Sequence, residues 1–213
     1  MIVILACSVL TLGFAIERAL YYWKRHANPA PMIAQAEEHV RAGRLREAAW
    51  LCQSSPHPAG PVAGALLLNA HLSPTAREEK MMIALSEQRL LLERNLGLIG
   101  TMGNTAPLIG LLGTVWGIMR AFHDMARTGS AGPSVVAAGV AEALFTTAAG
   151  LLITVPAVML FNHYMRRISV MVTVAENHAR SLRLTLEESG AQAQGSRDQH
   201  PREAEHRSLA GVA

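Results

Sequence analysis

The stretch Asn95–Met119, NLGLIGTMGNTAPLIGLLGTVWGIM, decides the fold because it contains no Asp, Glu, Lys or Arg. A second uncharged stretch, Ala143–Met165, reads ALFTTAAGLLITVPAVMLFNHYM. Each is longer than the ~20 residues that an α-helix needs to cross a ~30 Å hydrocarbon core. Both stretches are therefore predicted to be membrane-spanning helices.

A third apolar run, Met1–Ile16, opens the chain and is followed by Glu17, Arg18 and an aromatic cluster, Tyr21-Tyr-Trp23. A cleaved secretory signal is the alternative, but the run lacks a basic leading region and a small-residue cleavage pattern before the aromatic cluster. We expect a membrane helix whose Glu17 and Arg18 reach the headgroups, with the aromatic residues at the interface. The predicted fold class is all-α, an integral membrane protein with three transmembrane helices.

Basic residues in the connections predict the orientation. Residues 24–94 contain nine Lys and Arg, the connection after the second span contains only Arg127, and Arg166 and Arg167 follow the third span. By the positive-inside rule, residues 24–94 and the C-terminus are cytoplasmic, and the N-terminus and short loop are periplasmic.

The segment between the first two spans is predicted to be helical. Pro29 and Pro31 end the membrane helix, and Met32–Ala42 and Leu45–Cys52 form two short amphipathic helices around Gly43. From Arg77 onwards one long helix is expected to continue into the second span, so the second and third membrane helices extend into the cytoplasm. The predicted divisions are a first transmembrane helix (1–23), a cytoplasmic helical segment (24–94), a second transmembrane helix (95–121), a periplasmic loop (122–134), a third transmembrane helix (135–165), a cytoplasmic helical extension (166–188) and a disordered tail (189–213).

Composition argues against several classes of function. Charged residues make up 16% of the chain, and its basicity reflects membrane-flanking Lys and Arg rather than a nucleic-acid surface. We predict no enzyme, no cofactor and no metal, because no nucleophile–base pair, phosphate loop or metal-ligand spacing is present. Cys7 and Cys52 are expected to be unpaired packing residues.

Small residues recur at helical spacing on both central spans. Steps of three and four place such residues on one face of each helix, where another backbone can approach closely. Two readings remain open from spacing alone: the faces pack the two helices against each other, or they leave room for a guest helix. The glycines assigned to packing are Gly103, Gly110, Gly113, Gly117, Gly139 and Gly150.

Three polar residues on these spans carry the functional prediction. Thr114 and Thr147 place hydroxyls within the two faces, and Glu142 lies near the outer end of the third span. A carboxylate at a membrane span is costly and usually functional, although it can also be a solvated residue at a helix start. No Lys, His or second acid occurs in the middle of either span, so a proton path would need a titratable group from another chain.

Specific motifs resemble a known family. The sequence Thr105-Ala-Pro-Leu-Ile-Gly-Leu-Leu-Gly-Thr-Val-Trp-Gly-Ile-Met119, with Ala141-Glu-Ala-Leu-Phe-Thr-Thr-Ala-Ala-Gly-Leu151 and Val155-Pro-Ala-Val158, resembles the ExbB/TolQ branch of the MotA/TolQ/ExbB proton channel family. These motifs cover the last two spans, and a weaker general match covers about residues 1–185.

The resemblance implies a ring, typically a pentamer, in the inner membrane of a Gram-negative bacterium. A dimeric partner, ExbD or TolR, threads its membrane helices through the ring and supplies an Asp. By motif position, Thr114 and Thr147 look like the pore threonines that face this Asp, and Glu142 looks like the pore-associated glutamate. Proton flow then energises a TonB-like protein for outer-membrane uptake or, in the TolQ branch, maintains the envelope.

Three interpretations are weighed. An ExbB-type proton-channel subunit is preferred, and a TolQ-type subunit is the alternative from the same class. A non-conducting membrane scaffold would also use glycine faces but would not need Thr114, Thr147 or Glu142. Arg120, His123 and Asp124 are expected to be solvated residues at the end of the second helix.

Overall fold

The computed structural model describes the backbone over residues 2–25, 27–128 and 133–210, and the side chains over 4–25, 27–127 and 136–192. Every regular element in these ranges is an α-helix, which confirms the predicted all-α class. The helices are α1 (Ile2–Lys24), α2 (Ala30–Arg41), α3 (Leu45–Gln53), α4 (Ala59–Leu68), α5 (Pro74–Glu93), α6 (Leu96–Thr128) and α7 (Pro133–Ala210).

The chain forms two compact units. One comprises Met1–Trp23 and Glu93–Ile168, and the other comprises Lys24–Leu92 and Ser169–Ala213. The helix α7 contributes its first part to one unit and its later part to the other.

The first unit consists of α1, α6 and the first part of α7. Three helices are long and apolar enough to cross a membrane, over Ile4–Lys24, Leu96–Arg127 and Val136–Gln192. This confirms the prediction of three spanning helices. Each is long enough for the hydrocarbon core because a helix rises 1.5 Å per residue.

Contacts near the end of α1 hold it against the other two helices. Ala15, Ile99 and Ala157 form a buried cluster, and the Tyr164 hydroxyl donates a hydrogen bond to the Ala15 carbonyl oxygen at 3.1 Å. A buried phenol hydroxyl needs such a partner because its desolvation is otherwise uncompensated.

Arg18 and Tyr22 differ from the sequence expectation of residues that reach the headgroups. Both are buried, and the Arg18 guanidinium donates through Nε and Nη2 to the two Glu17 carboxylate oxygens, each at 2.6 Å. Its carbon Cζ also lies 4.5 Å from the centre of the Tyr21 ring. The bidentate carboxylate and the aromatic face stabilise a cation that would otherwise move towards water. Trp23 is exposed, as an interfacial residue should be.

The prediction of one helix continuing from Arg77 into the second span is wrong. The helix α5 ends at Glu93 and α6 begins at Leu96, with Asn95 between them at φ 62°. This left-handed conformation interrupts the helical hydrogen-bond ladder, and Asn tolerates it better than most residues with a side chain. The apolar pattern carries no information on this single dihedral angle.

The second unit packs α2, α3, α4, α5 and the later part of α7 around one apolar core. The short helices α2 and α3 agree with the amphipathic pair predicted from the sequence, and Gly43 between them has φ 73°, which favours glycine. Core residues come from all five helices: Ile33, Ala36, Val40, Ala48, Ala49, Cys52, Ala59, Val62, Ala63, Leu66, Leu67, Met81, Leu85, Ala175, Ala179, Leu182 and Leu186. Both cysteines are free and buried, and burial raises the pKa of the Cys52 thiol to about 11.

Two predicted irregular segments are partly helical. The helix α6 continues to Thr128 and α7 begins at Pro133, so both ends of the predicted loop 122–134 are helical. Residues 129–132 of that loop lie outside the described residues. The helix α7 reaches Ala210, whereas a disordered tail was predicted over 189–213; residues 211–213 lie outside the described part. Extension of an existing helix needs no new nucleus, so a polar segment can continue it although it contains Gly190, Gly195 and Pro201.

Candidate functional site

Glycines bring α6 and α7 into close backbone contact. A Cβ atom placed on Gly117 would lie 2.7 Å from the Ala143 Cβ atom, and one on Gly139 would lie 2.5 Å from the Ala121 Cβ atom. Real Cβ atoms essentially never approach other heavy atoms below 3.0 Å. Each of these glycines therefore occupies a position where a larger residue would push the helices apart.

The other four glycines contact the same helix pair. A Cβ atom on Gly103 would lie 2.8 Å from Val158 Cγ2, and one on Gly150 would lie 2.7 Å from the Ala106 carbonyl oxygen. Gly110 lies against the Thr147 backbone, and Gly113 lies against the Thr146 side chain. Of the two readings left open by the spacing, the structure shows α6 and α7 of one chain packed together, so a guest helix cannot lie between them.

Thr114 and Thr147 meet at the centre of this contact. Their hydroxyl oxygens are in hydrogen-bond contact with each other. The Thr147 Oγ1 atom lies 3.1 Å from the Gly110 carbonyl oxygen, and Thr114 Oγ1 lies 3.2 Å from the same atom and 3.3 Å from the Ala143 carbonyl oxygen. The structure thus brings together two residues that are 33 positions apart in the sequence.

Thr146 is a third member of this cluster that the sequence interpretation did not include among the site residues. Its Oγ1 atom donates to the Ala143 carbonyl oxygen at 2.7 Å and lies 3.4 Å from the Gly110 carbonyl oxygen. Its position four residues after Glu142, one helical turn along the same face, was the available signal.

One assignment of hydrogens satisfies all three hydroxyls, each of which has a single hydrogen to donate. Thr147 donates to the Gly110 carbonyl oxygen, Thr146 donates to the Ala143 carbonyl oxygen, and Thr114 donates to Thr147. The Thr114 oxygen then retains acceptor capacity for a further donor. The cluster can therefore exchange hydrogen bonds with a group that approaches Thr114.

Glu142 lies apart from the threonine pair. It is exposed and lines a groove of about 440 Å³ between the later part of α6 and the first part of α7, together with Thr146, Arg120 and Asp124. In this groove Arg120 Nε lies 3.9 Å from Asp124 Oδ2, and both side chains are largely exposed. Thr146 connects the two regions because it lines the groove and also belongs to the hydroxyl cluster.

The α6–α7 pair has two sides, or flanks, on either side of the line of contact, and the two flanks have different neighbours. On one flank α1 approaches, and Ile4 and Cys7 line a small space with Ile109 and Ile153. Thr114 is about 140° around α6 from Ile109 at 100° per residue, so it lies towards the other flank. By the same spacing, that flank carries three exposed apolar residues: Leu111 of α6, and Leu144 and Leu151 of α7.

Comparison with known proteins decides the family. The model of the MotA/TolQ/ExbB proton channel family matches residues 56–177, more than half of the chain. The chain belongs to this family. The match includes all of α6, the threonine cluster and Glu142, and it confirms the resemblance inferred from the motifs.

Several relatives carry names from two branches of the family. The biopolymer transport protein exbB1 of Vibrio cholerae is 46% identical over 156 residues, which cover 71% of this chain and 68% of the relative. ExbB of Pseudomonas putida is 37% identical over 61% of this chain and 42% of its own length. The Tol-Pal system protein TolQ of Pseudomonas aeruginosa is 41% identical over 43% of this chain and 40% of its own length. The chain thus spans about two fifths of the length of the two Pseudomonas relatives.

Proposed function

We propose that this protein is an ExbB-type proton-channel subunit of a Gram-negative inner membrane that, with an ExbD-like partner, uses the proton motive force to energise TonB-dependent transport. The observation that carries the proposal is the Thr114–Thr147 hydroxyl pair at the α6–α7 contact. No Asp, Glu, Lys or Arg occurs in Asn95–Met119 or Ala143–Met165. The hydroxyls can form hydrogen bonds with a titratable group that carries the proton. Because these two stretches supply no such group, it must come from another chain.

The flank formed by Leu111, Leu144 and Leu151 is the proposed docking place for the guest helix. These side chains are exposed in the single chain and apolar, so a membrane helix packs on them without loss of hydrogen bonds. A guest Asp at this level would approach Thr114. A protonated Asp donates to the Thr114 oxygen, whereas an ionised Asp accepts the Thr114 hydrogen after rotation of that hydroxyl.

Several copies of the chain complete the proposed channel. A ring, typically a pentamer, places one such flank per subunit around two partner helices, and proton transfer at successive threonine pairs drives rotation or rearrangement of the partner. The tight glycine contacts support this arrangement because they make each α6–α7 pair a well-defined wall element.

Glu142 is proposed to serve the outer end of this path. Its exposed carboxylate lies in the groove that Thr146 joins to the hydroxyl cluster, with the Arg120 and Asp124 pair nearby. A carboxylate at this place attracts protons from the periplasmic side, given the orientation with the N-terminus periplasmic and the C-terminus cytoplasmic.

The ExbB assignment is preferred to the TolQ assignment because the ExbB-named Vibrio relative aligns over 71% of the chain, whereas the TolQ-named Pseudomonas relative aligns over 43%. A TolQ-type subunit of the Tol-Pal system is the second candidate. Complementation distinguishes them: iron–siderophore uptake should return in a strain lacking ExbB, and detergent resistance should not return in a strain lacking TolQ. The reverse pattern would assign the chain to the Tol-Pal system.

The substitution Thr147→Val tests the proton path, since it keeps the shape of the side chain and removes the hydroxyl. The chain is co-expressed with its ExbD-like partner, and proton uptake is measured in proteoliposomes. We expect uptake to fall by at least about tenfold, which corresponds to ~1.4 kcal/mol in the transfer barrier.

Thr101→Val is the matched control. The Thr101 hydroxyl donates to the Gly97 carbonyl oxygen of its own helix at 2.8 Å and lies outside the cluster. Uptake should be unchanged in this variant, and both complexes should elute at the wild-type size. Normal uptake by Thr147→Val would refute the pore assignment and favour the third interpretation, a non-conducting scaffold.

A further inference from the structure

A groove in the second unit is lined by an arginine whose buried Nε atom has no hydrogen-bond partner among the described residues. It has a volume of about 670 Å³ and is lined by Arg77 with the apolar residues Val40, Leu45, Ala70 and Leu186. The Arg77 side chain belongs to a residue that is only 7% exposed. Its Nε atom is buried and has no hydrogen-bond partner within the described chain.

The position of Arg77 in its helix is a second reason to expect a negative ligand. It lies in the first turn of α5, which begins at Pro74, and its backbone N–H donates to the Ser73 carbonyl oxygen at 2.9 Å. The first turn is the positive end of the helix dipole, so a cation there is repelled and an anion is attracted. A guanidinium whose Nε atom is buried without a partner at this end therefore favours a negative ligand.

Two acids near Arg77 in this unit already pair with a different cation, Arg183. Glu78 Oε2 lies 2.9 Å from Arg183 Nη1, and Glu187, which also lines the groove, has Oε1 3.9 Å from Arg183 Nε. Glu187 is nevertheless the internal competitor, because its carboxylate faces the same groove as Arg77. A ligand carboxylate must therefore compete with the Glu187 carboxylate for the Arg77 guanidinium.

We propose that this groove binds a carboxylate that carries a short apolar body, with the Arg77 guanidinium as its anchor. The planar guanidinium presents paired N–H donors that match the two oxygens of a carboxylate. The volume lies within the range of ~300–1,000 Å³ found for small-ligand sites, and the apolar wall favours a short hydrocarbon next to the charge. The carboxylate comes from a free small acid or from an acidic side chain of a polypeptide.

Butyrate tests the site, and butyramide, which has the same shape without the charge, is its control. The full-length chain in detergent micelles is heated with each compound in a buffer free of other carboxylates and phosphate. At ten times its dissociation constant, butyrate should raise the unfolding temperature by about 3–6 °C relative to butyramide. Equal unfolding temperatures with the two compounds would overturn the proposal.

Variants separate a ligand site from a structural arginine. Arg77→Met should abolish the butyrate shift without lowering the unfolding temperature measured in the absence of anion, while Arg46→Met, at an exposed cation of α3, should keep the shift. Glu187→Gln removes the competing carboxylate and should lower the butyrate concentration at half-effect by at least about threefold. A butyrate shift that persists in Arg77→Met, or an unchanged half-effect in Glu187→Gln, would overturn the assignment.

A capped leucyl-glutamate dipeptide distinguishes the two sources, with the leucyl-glutamine dipeptide as its control. If the dipeptide gives half of its maximal rise in unfolding temperature at a concentration at least about tenfold below that needed for butyrate, the site is assigned to an acidic polypeptide segment. Half-effect at the same or a higher concentration assigns it to a free small acid. Proton uptake need not change in either case, so this site and the proton-channel function fail independently.

Discussion

Substitution of Gly117 by Ala tests the close contact between α6 and α7. Inside an exposed helix, Gly→Ala stabilises by roughly 0.5–1 kcal/mol because alanine loses less backbone entropy on folding. At Gly117, however, the new Cβ atom would lie 2.7 Å from the Ala143 Cβ atom and 3.1 Å from the Ala143 Cα atom. Carbon atoms pack best at ~3.5–4.0 Å, so the helices must separate by about 1 Å or distort.

The net effect should be destabilising. Overpacking of this kind costs typically 1–3 kcal/mol, which exceeds the gain in helix propensity. For a chain of this size, each kcal/mol shifts the unfolding temperature by ~2–4 °C. We expect Gly117→Ala to unfold a few degrees below the wild type in detergent micelles, followed by tryptophan fluorescence. Gly13→Ala, in the middle of α1 with no atom within 4 Å of the new Cβ, should be neutral or stabilising.

A double-mutant cycle isolates the contact itself. Ala143→Gly removes the atom at 2.7 Å, so in the double variant the nearest remaining neighbour is the Ala143 Cα atom at 3.1 Å, which a shift of a few tenths of an ångström relieves. The two substitutions should therefore couple by at least about 1 kcal/mol in the favourable direction. Additive effects within ~0.5 kcal/mol would refute the close approach of these two helices.

Three further predictions concern other charged or buried groups. Glu142→Gln should weaken proton uptake without changing the elution size of the complex, and full uptake across the pH range would argue against the proposed proton role of Glu142. Glu17→Gln should lower the unfolding temperature because it leaves the buried Arg18 cation without its carboxylate, and adding Arg18→Met should restore much of the loss; no recovery in thermal scans would contradict this. Burial raises the pKa of the Cys52 thiol from 9.0 to about 11. The contribution of the buried thiol to stability is therefore complete below pH 9 and declines as the pH rises towards 11. In a Cys7→Ala background, a maleimide at pH 8 should modify Cys52 only in denaturant, and rapid labelling of the folded chain would contradict its burial.

Sequence patterns predicted the parts of the site that depend on local chemistry. The spacing of the six glycines placed them on single helix faces, and Thr114 and Thr147 stood out as hydroxyls within those faces. Spacing could not say what covers each face, because a small residue permits a close approach without choosing the partner. The structure shows that α6 and α7 cover one another, which moves the proposed guest helix to the outer flank beside Thr114.

Some features depend on single dihedral angles or on contacts between distant segments, and these were missed. The turn at Asn95 follows from one positive φ value within a pattern that otherwise reads as continuous helix. Thr146 belongs to the hydroxyl cluster because the packing of α7 on α6 brings its Oγ1 atom near the Gly110 carbonyl oxygen. The sequence marked Arg77 as an ordinary residue near a helix start; in the structure it is buried and lines a groove with residues that are distant in sequence, such as Val40, Ala70 and Leu186.

The sequence by itself determined that this protein has three apolar helices, that two of them carry glycine faces with hydroxyls, and that the stretches Asn95–Met119 and Ala143–Met165 contain no acid. These follow from the length and chemistry of uninterrupted stretches, which the cost of placing charge in hydrocarbon restricts strongly. Only the tertiary structure decided which helix faces meet, which flank of the α6–α7 contact Thr114 lies on, and that the Arg77 Nε atom is buried without a partner among the described residues. Such properties depend on which distant segments come together, and the periodicity of a single helix does not contain that information.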